Sequence, residues 1–398
     1  MLYPEYIADI LSMLHSSGYE AYIVGGSVRD SLLGLTPNDF DITTSALPEN
    51  IIDVFGDFKL VTTGLKHGTV TVIYDSKPIE ITTFRVDGDY LDSRHPSEVY
   101  FTDSIVADLS RRDFTVNAMA YDDEHGVIDP FEGKRDLKNK IIRTVGEAER
   151  RFGEDALRIM RVFRFSAQLG FDICDTTLIA TNTLKDGLSK VSRERISTEF
   201  IKLITAKDPR YAMTKMKELG IFEFVLGAHL PSDGEIRALS CAPNTPRARL
   251  GILLASCPEE MRPDILADLR LSNKLTSNVL TIAKRLSSRL EGSEVDARRF
   301  IGSCGELVEE TLECAKALGT LDESFEAAVR KNLQKKLCLS IKDLAINGGD
   351  LISLGASGKQ IGYILDALLE EVTAEPEKNE RETLISLAKK HLIQVKDI

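Results

Sequence analysis

Cysteine is sparse and dispersed in this 398-residue sequence. The six cysteines (Cys174, Cys241, Cys257, Cys304, Cys314 and Cys338) stand at least ten residues apart, with no C-x-x-C pair and no histidine spaced as part of a zinc ligand set. A disulfide-stapled chain is therefore excluded, and the thiols read as reduced and mostly structural. The six histidines are scattered and none is followed by aspartate, so a phosphohydrolase built on a His-Asp pair has no support. No run approaches the roughly 18 apolar residues that a membrane span needs. The first Lys or Arg is Arg29, so the positive n-region of a signal peptide is missing. A cytoplasmic location without a membrane partner is expected. Neither a repeat of fixed period nor a low-complexity tract occurs.

What is present is an ordinary apolar fraction, 43%, with 50 Lys plus Arg against 62 Asp plus Glu and a net charge of -12. Such a chain is neither disordered nor fibrous, and its length exceeds what one core supports, so several domains are expected. Taken whole, the charge argues against a polyanionic partner. Its distribution reverses that inference. Residues 1–130 carry 8 basic and 22 acidic side chains, residues 131–165 carry 10 and 6, and the remainder carries 32 and 34. The acid belongs to the first third, which leaves the rest free to bind phosphate through local basic patches.

The first third reads as mixed α/β. Ile7, Ile10, Leu11 and Leu14 recur at helical spacing between Pro4 and Ser16, ended by Gly18. Strands are expected at 21–24, 39–43, 69–74, 79–84 and 118–121, with a second helix from Gly25-Gly26-Ser27 to Leu33. Residues 85–101 are too irregular for an element and read as a functional loop. From about residue 147 helix follows helix, broken near 208–209, 231–234, 242–246, 292–293, 347–349 and 355–358.

Four clusters carry chemistry. Gly25-Gly26-Ser27, between a strand and a helix with Arg29 one turn in, reads as a phosphate cradle or as a plain tight turn. Asp39-Phe40-Asp41 places two carboxylates on one side of a strand, about 7 Å apart, with Phe40 toward the core. A divalent cation relieves their repulsion, and oxygen-only donors suit Mg²⁺. Glu80, between Ile79 and Ile81, is placed to bring a third carboxylate to that face. With the glycine cradle just upstream, two-metal phosphoryl transfer outweighs a solvated strand edge. Arg111-Arg112-Asp113-Phe114-Thr115-Val116-Asn117 reads as a ribose and phosphate holder or as a salt-bridged turn. Last, Asp155 and Arg158 lie one helical turn apart, with Arg161 and Arg164 at further three-residue steps. On so apolar a helix these arginines face either an anion or solvent, the latter with an Asp155–Arg158 ion pair.

Together, Gly25-Gly26-x-Val28-Arg29-Asp30, Asp39-x-Asp41, Arg111-Arg112-Asp113-Phe114-Thr115-x-Asn117-Ala118, Glu154-Asp155-x-x-Arg158 and Arg195-Ile-Ser-x-Glu199 resemble the bacterial class II tRNA nucleotidyltransferases, the CCA-adding enzymes. The tail segment Leu344-Ala-Ile-Asn-Gly-Gly-Asp-Leu-Ile352 is similar too, although Gly358-Lys359 stands where that family usually has Gly-Pro. The resemblance implies an α+β fold: a polymerase-β-type nucleotidyltransferase head with a mixed sheet, followed by all-α neck, body and tail. The corresponding segments are 1–140, 141–205, 206–280 and 281–398. It implies Mg²⁺ at Asp39 and Asp41, with Glu80 a third catalytic carboxylate. Gly26, Arg29, Arg112, Asp113, Asn117, Asp155, Arg158, Arg161 and Arg164 would bind nucleotide. The implied partners are CTP, ATP and the 3′ end of tRNA. In that family CC-only enzymes have a shortened loop, so the full-length 85–101 segment favours CCA or A-only addition, and the loop is expected to move between C and A addition. Poly(A) polymerases tend to carry a basic C-terminal extension, whereas residues 341–398 hold 7 basic and 10 acidic groups.

Base selection follows from donor and acceptor patterns. Cytosine and adenine each present an amino donor beside a ring acceptor, which a carboxylate and a guanidinium complement. Uracil and guanine reverse that pattern and leave a charged group unpaired.

Overall fold

The computed structural model describes residues 1–88, 99–335 and 337–394, and the chain divides into two compact units, 1–230 and 231–398. In the first unit, α1 (Glu5–Ser16) buries Ile7, Ile10, Leu11 and Leu14, and Gly18 follows at φ +87. A seven-stranded sheet comes next, built from β1 (Ala21–Val24), β2 (Asp41–Thr44), β3 (Lys59–Val61), β4 (Thr69–Tyr74), β5 (Lys77–Thr83), β8 (Ala120–Asp122) and β9 (Gly126–Ile128). Its order is β3-β4-β5-β2-β1-β8-β9. Only the β2–β5 pair is parallel, so the sheet is mixed as expected.

Register positions the site. β1 and β2 pair Ile23 with Ile42 and Val24 with Asp41, and β2 and β5 pair Ile42 with Ile81. The apolar partners are fully buried. Beyond Val24 the chain turns at Gly25 (φ 77, ψ -131) into α2 (Gly26–Leu32). Because β1 ends there, β2 begins only at Asp41, so Asp39 and Phe40 precede the strand instead of lying within it.

Residues 85–101 differ from the irregular loop expected. Their ends form a ribbon of β6 (Arg85–Asp87) and β7 (Val99–Phe101); the segment 89–98, and with it the expected loop motion, lies outside the described residues. The edge strands β3 and β9 are further additions to the expected elements.

The chain continues through α3 (Pro48–Val54), α4 (Ile105–Ser110), α5 (Gly133–Asn139), α6 (Ala148–Glu154), α7 (Leu157–Leu169), α8 (Asp175–Leu184), α9 (Arg193–Ile204) and α10 (Arg210–Glu218). After β9 the only strands among the described residues are the two-residue β10 (Ile141–Ile142) and β11 (Asp172–Ile173), paired with each other.

The second unit is helical throughout its described residues. Three of the expected breaks are helix starts closed by capping boxes, Ser232 with Glu235, Ser293 with Asp296 and Asn347 with Asp350, which satisfy the first N–H groups. Arg262, only 2% exposed, donates to the carbonyls of Ala255 and Cys257 and to Ser287 Oγ. All six cysteines are free. No described helix is long and apolar enough to cross a membrane.

Candidate active site

The turn that leaves β1 forms one wall of a cleft of about 450 Å³, lined by Gly25, Gly26, Arg29, Asp41, Arg112, Asp113 and Asn117 from one side and by Asp155, Arg158, Arg161, Phe165 and Arg195 from the other. Gly25 cannot be replaced without strain. Its φ is left-handed, and a Cβ there would lie 3.0 Å from Arg112 Nη1.

Arg29 Nη1 donates to Asn117 Oδ1 (2.6 Å) and Nε to Asp30 Oδ1 (2.8 Å). Asn117 Nδ2 donates in turn to Asp113 Oδ1 (3.2 Å), which also accepts the Phe114 N–H (2.8 Å). The other oxygen of Asp113 accepts Arg161 Nε (2.7 Å). Burial works against the charged form of Asp113, but Arg161 and the hydrogen bonds outweigh it and hold its carboxyl below the usual range. The Arg111–Asn117 segment is thus a buried polar network as well as a turn. Asp108, fully buried, anchors it by accepting Arg111 Nε at 3.0 Å and pairing with Arg112 Nη2 at 3.5 Å.

Asp41 also lines an adjoining cavity with Asn38, Asp39, Phe40, Ile79 and Glu80. Phe40 is buried, as expected. Burial and then Asp39 raise the Asp41 carboxyl, partly offset by Arg112. Burial, Asp41 and Asp39 raise Glu80. Asp41 and Glu80 therefore feel their acidic neighbours, yet among the described residues no three His, Cys, Asp or Glu side chains converge as a ready-made metal cage. Two repelling carboxylates at the rim of an arginine-rich cleft fit a hard divalent cation that takes its other ligands from water and phosphate.

The helical wall departs from the expected pairing. Asp155 stands in extended conformation (φ -146, ψ 105) between α6 and α7. Its carboxylate caps α7 by accepting the Leu157 N–H (3.1 Å) and is forked by Arg195. Arg158 instead pairs with Glu154 (2.6 Å) and donates to the carbonyls of Arg151 and Arg111. The Asp155–Arg158 ion pair of the solvated-face alternative is absent, because the helix breaks between them and each finds another partner. Arg161 lies in the cleft. Arg164 lies outside the lining, paired with the buried Glu199 at 2.7 Å, and burial followed by Arg161 lowers it to about 10.

Arg195, Phe165, Glu154 and Glu199 were not among the expected site residues. Arg195-Ile-Ser-x-Glu199 carries the one sequence signal for two of them, since residues four apart share a helix face.

Three family models match successive parts of the chain: "Poly A polymerase head domain" over 21–143, "Probable RNA and SrmB-binding site of polymerase A" over 170–231, and "tRNA nucleotidyltransferase domain 2 putative" over 249–388. A CCA-adding enzyme of Ligilactobacillus salivarius is 37% identical, covering 96% of this chain and 95% of its own. One from Enterococcus faecalis is 36% identical over 96% and 95%. The crystal structure of the Bacillus stearothermophilus CCA-adding enzyme in complex with CTP superposes with a TM-score of 0.81 and 31% identity, over 100% of both chains. The head-plus-helices fold and the near full-length identity agree: the chain belongs to the CCA-adding enzyme family of tRNA nucleotidyltransferases.

Proposed function

We propose that this chain adds C, C and A to the 3′ end of tRNA without a nucleic-acid template, using CTP and ATP and releasing pyrophosphate. The observation that carries the reading is a single cleft in which the glycine turn and the Arg112–Asn117 network face Asp155 and Arg158. One wall suits a triphosphate and ribose, the other a base edge.

In this reading the Gly26 N–H and the Arg29 guanidinium receive the triphosphate, the Gly25 N–H being bonded to the Met119 carbonyl, while Arg112, Asp113 and Asn117 hold the ribose and phosphates. Arg161 and Arg164 add positive charge. Asp155 accepts the amino group of cytosine or adenine and Arg158 donates to the ring acceptor. Both have capacity left. A carboxylate offers about four lone-pair sites, and Asp155 uses three, two for Arg195 and one for Leu157. Arg158 spends three of its N–H groups on Glu154 and two carbonyls.

Asp39 and Asp41 would hold Mg²⁺, with Glu80 beside them; bound there, the ion neutralises triphosphate charge and lowers the pKa of the attacking hydroxyl. The tRNA 3′-oxygen bonds to the α-phosphorus in line, the bond to the bridging oxygen breaks, and pyrophosphate leaves. Residues 1–140 would serve as head, 141–205 as neck, 206–280 as body and 281–398 as tRNA-binding tail, working in the cytoplasm.

The test is extension of tRNAs that stop before the first C, the second C or the terminal A, with CTP, ATP or both. All three reach full CCA ends when both nucleotides are present. Extension of the last substrate alone identifies an A-adding enzyme, and untemplated A runs on any RNA identify a poly(A) polymerase.

A further inference from the structure

Phe165 is the one aromatic residue among those lining the cleft. It is 7% exposed, and three guanidinium groups surround its ring: Arg164 at 3.9 Å, Arg161 at 5.2 Å and Arg29 at 5.4 Å from the centroid. These arginines come from separate parts of the chain, Arg29 from α2 and the other two from α7. Like charges brought so close repel, and their carboxylate partners, Asp30, Asp113 and Glu199, each lie to the side of one or two of them. The negative face of an aromatic ring attracts a guanidinium without neutralising it. A carboxylate consumes N–H donors; a ring leaves them free to bond phosphate.

Phe165 is itself fixed. Phe114 meets it edge to face, with centroids 5.6 Å apart and an interplanar angle of 76°, and Phe114 donates its N–H to Asp113 (2.8 Å), the residue that pairs with Arg161. The ring thus stands where the Arg112–Asn117 network and the arginines of α7 meet.

We propose that Phe165 is a positioning residue whose ring gathers the cleft-lining Arg29 and Arg161, with Arg164 adding charge from outside the lining, into one cationic surface for the triphosphate of the incoming nucleotide. It acts on the part common to CTP and ATP, and with guanidinium groups about its ring it is not a platform for the base. The inference rests on the nucleotide-binding reading of the cleft.

The experiment uses the full chain with Mg²⁺. CTP and ATP binding are measured at equilibrium, and incorporation into tRNA at steady state, for wild type, Phe165→Leu, Phe165→Met and Phe165→Tyr. Leu and Met preserve apolar bulk without the ring, and a melting curve confirms that each variant compared is folded. For Leu and Met, affinity for both nucleotides falls and KM rises by about tenfold or more, with kcat within about threefold, and Tyr recovers most of the loss. Unchanged CTP and ATP affinity in a folded ring-less variant overturns the proposal, as does a Tyr variant no better than Leu. A loss confined to one nucleotide overturns it in favour of base stacking. If wild type binds neither nucleotide, the reading of the cleft fails as well, which separates the two failures.

Discussion

Arg195 holds Asp155 by a two-pronged contact across forty residues of sequence, Nη2 to Oδ2 at 2.7 Å and Nη1 to Oδ1 at 3.3 Å. The carboxylate proposed to read the base is therefore oriented by a residue of α9. Replacing Arg195 with Ala frees Asp155 to rotate. Incorporation of CTP and ATP should lose about tenfold in kcat/KM, and UTP should be misincorporated more often. Arg195→Lys should recover only part of this, because an ammonium has no fork to match both oxygens. Competition among all four nucleotides measures both effects; unchanged selectivity would show that the Leu157 cap alone suffices to orient Asp155.

Arg158→Ala should weaken selectivity far more than stability. Its partner Glu154 also pairs with Arg150 and Arg151, so the carboxylate is not stranded when Arg158 is removed. Discrimination against UTP and GTP should fall by roughly one to two orders of magnitude, as expected when a pairing donor is lost. A variant that melts much lower than wild type yet selects as well would return Arg158 to a structural role.

The raised carboxyls of Asp41 and Glu80 give a pH dependence of definite sign. The folded protein holds these protons more tightly than the unfolded chain does. The stability they contribute is complete below the ordinary carboxylate range and is lost as pH rises through the folded values. In the absence of divalent metal, Asp41→Asn should therefore melt above wild type at neutral pH, with the gap closing in acid. Mg²⁺ should raise the wild-type midpoint and leave the variant's in place. Nucleotide incorporation by the variant should drop by about a thousandfold or more, and normal incorporation would remove Asp41 from the metal site.

Arg262 makes a prediction about stability alone. Its buried guanidinium satisfies the Ala255 and Cys257 carbonyls and Ser287. Arg262→Met keeps much of the bulk but strands those acceptors, so urea unfolding of the helical unit should show a loss of about 2–4 kcal/mol. An unchanged midpoint would mean that water replaces the guanidinium.

The sequence was most informative where chemistry is local. The α1 periodicity, the apolar β1 run and the glycine turn can each be read from neighbouring residues, and so can the clusters around Asp41, Asp113 and Asp155. The edge strand β3, two of its three residues exposed, carries no alternation to betray it. The break at Asp155 was hidden because strong helix formers, Glu154 and Ala156, flank it; the side-chain cap and the Arg195 contact that accompany the break appear only in three dimensions. The same holds for the pairing of Glu199 with Arg164, whereas Asp30 and Asp108 stand within four residues of the arginines they hold in place. Phe165 was visible as an apolar neighbour of Arg164, while its three-fold cationic surroundings depend on Arg29, more than a hundred residues earlier.

The pairing of Val24 with Asp41 makes the location of a carboxylate an all-or-none matter. Side chains alternate across a strand, so sliding β2 by a single position would send Asp41 to the opposite face and bring a neighbour of different chemistry in its place. No intermediate geometry exists between the two registers. Activity regained during refolding would therefore count molecules whose sheet has zipped in the correct alignment, and a mis-zipped molecule with ample secondary structure would still be inert.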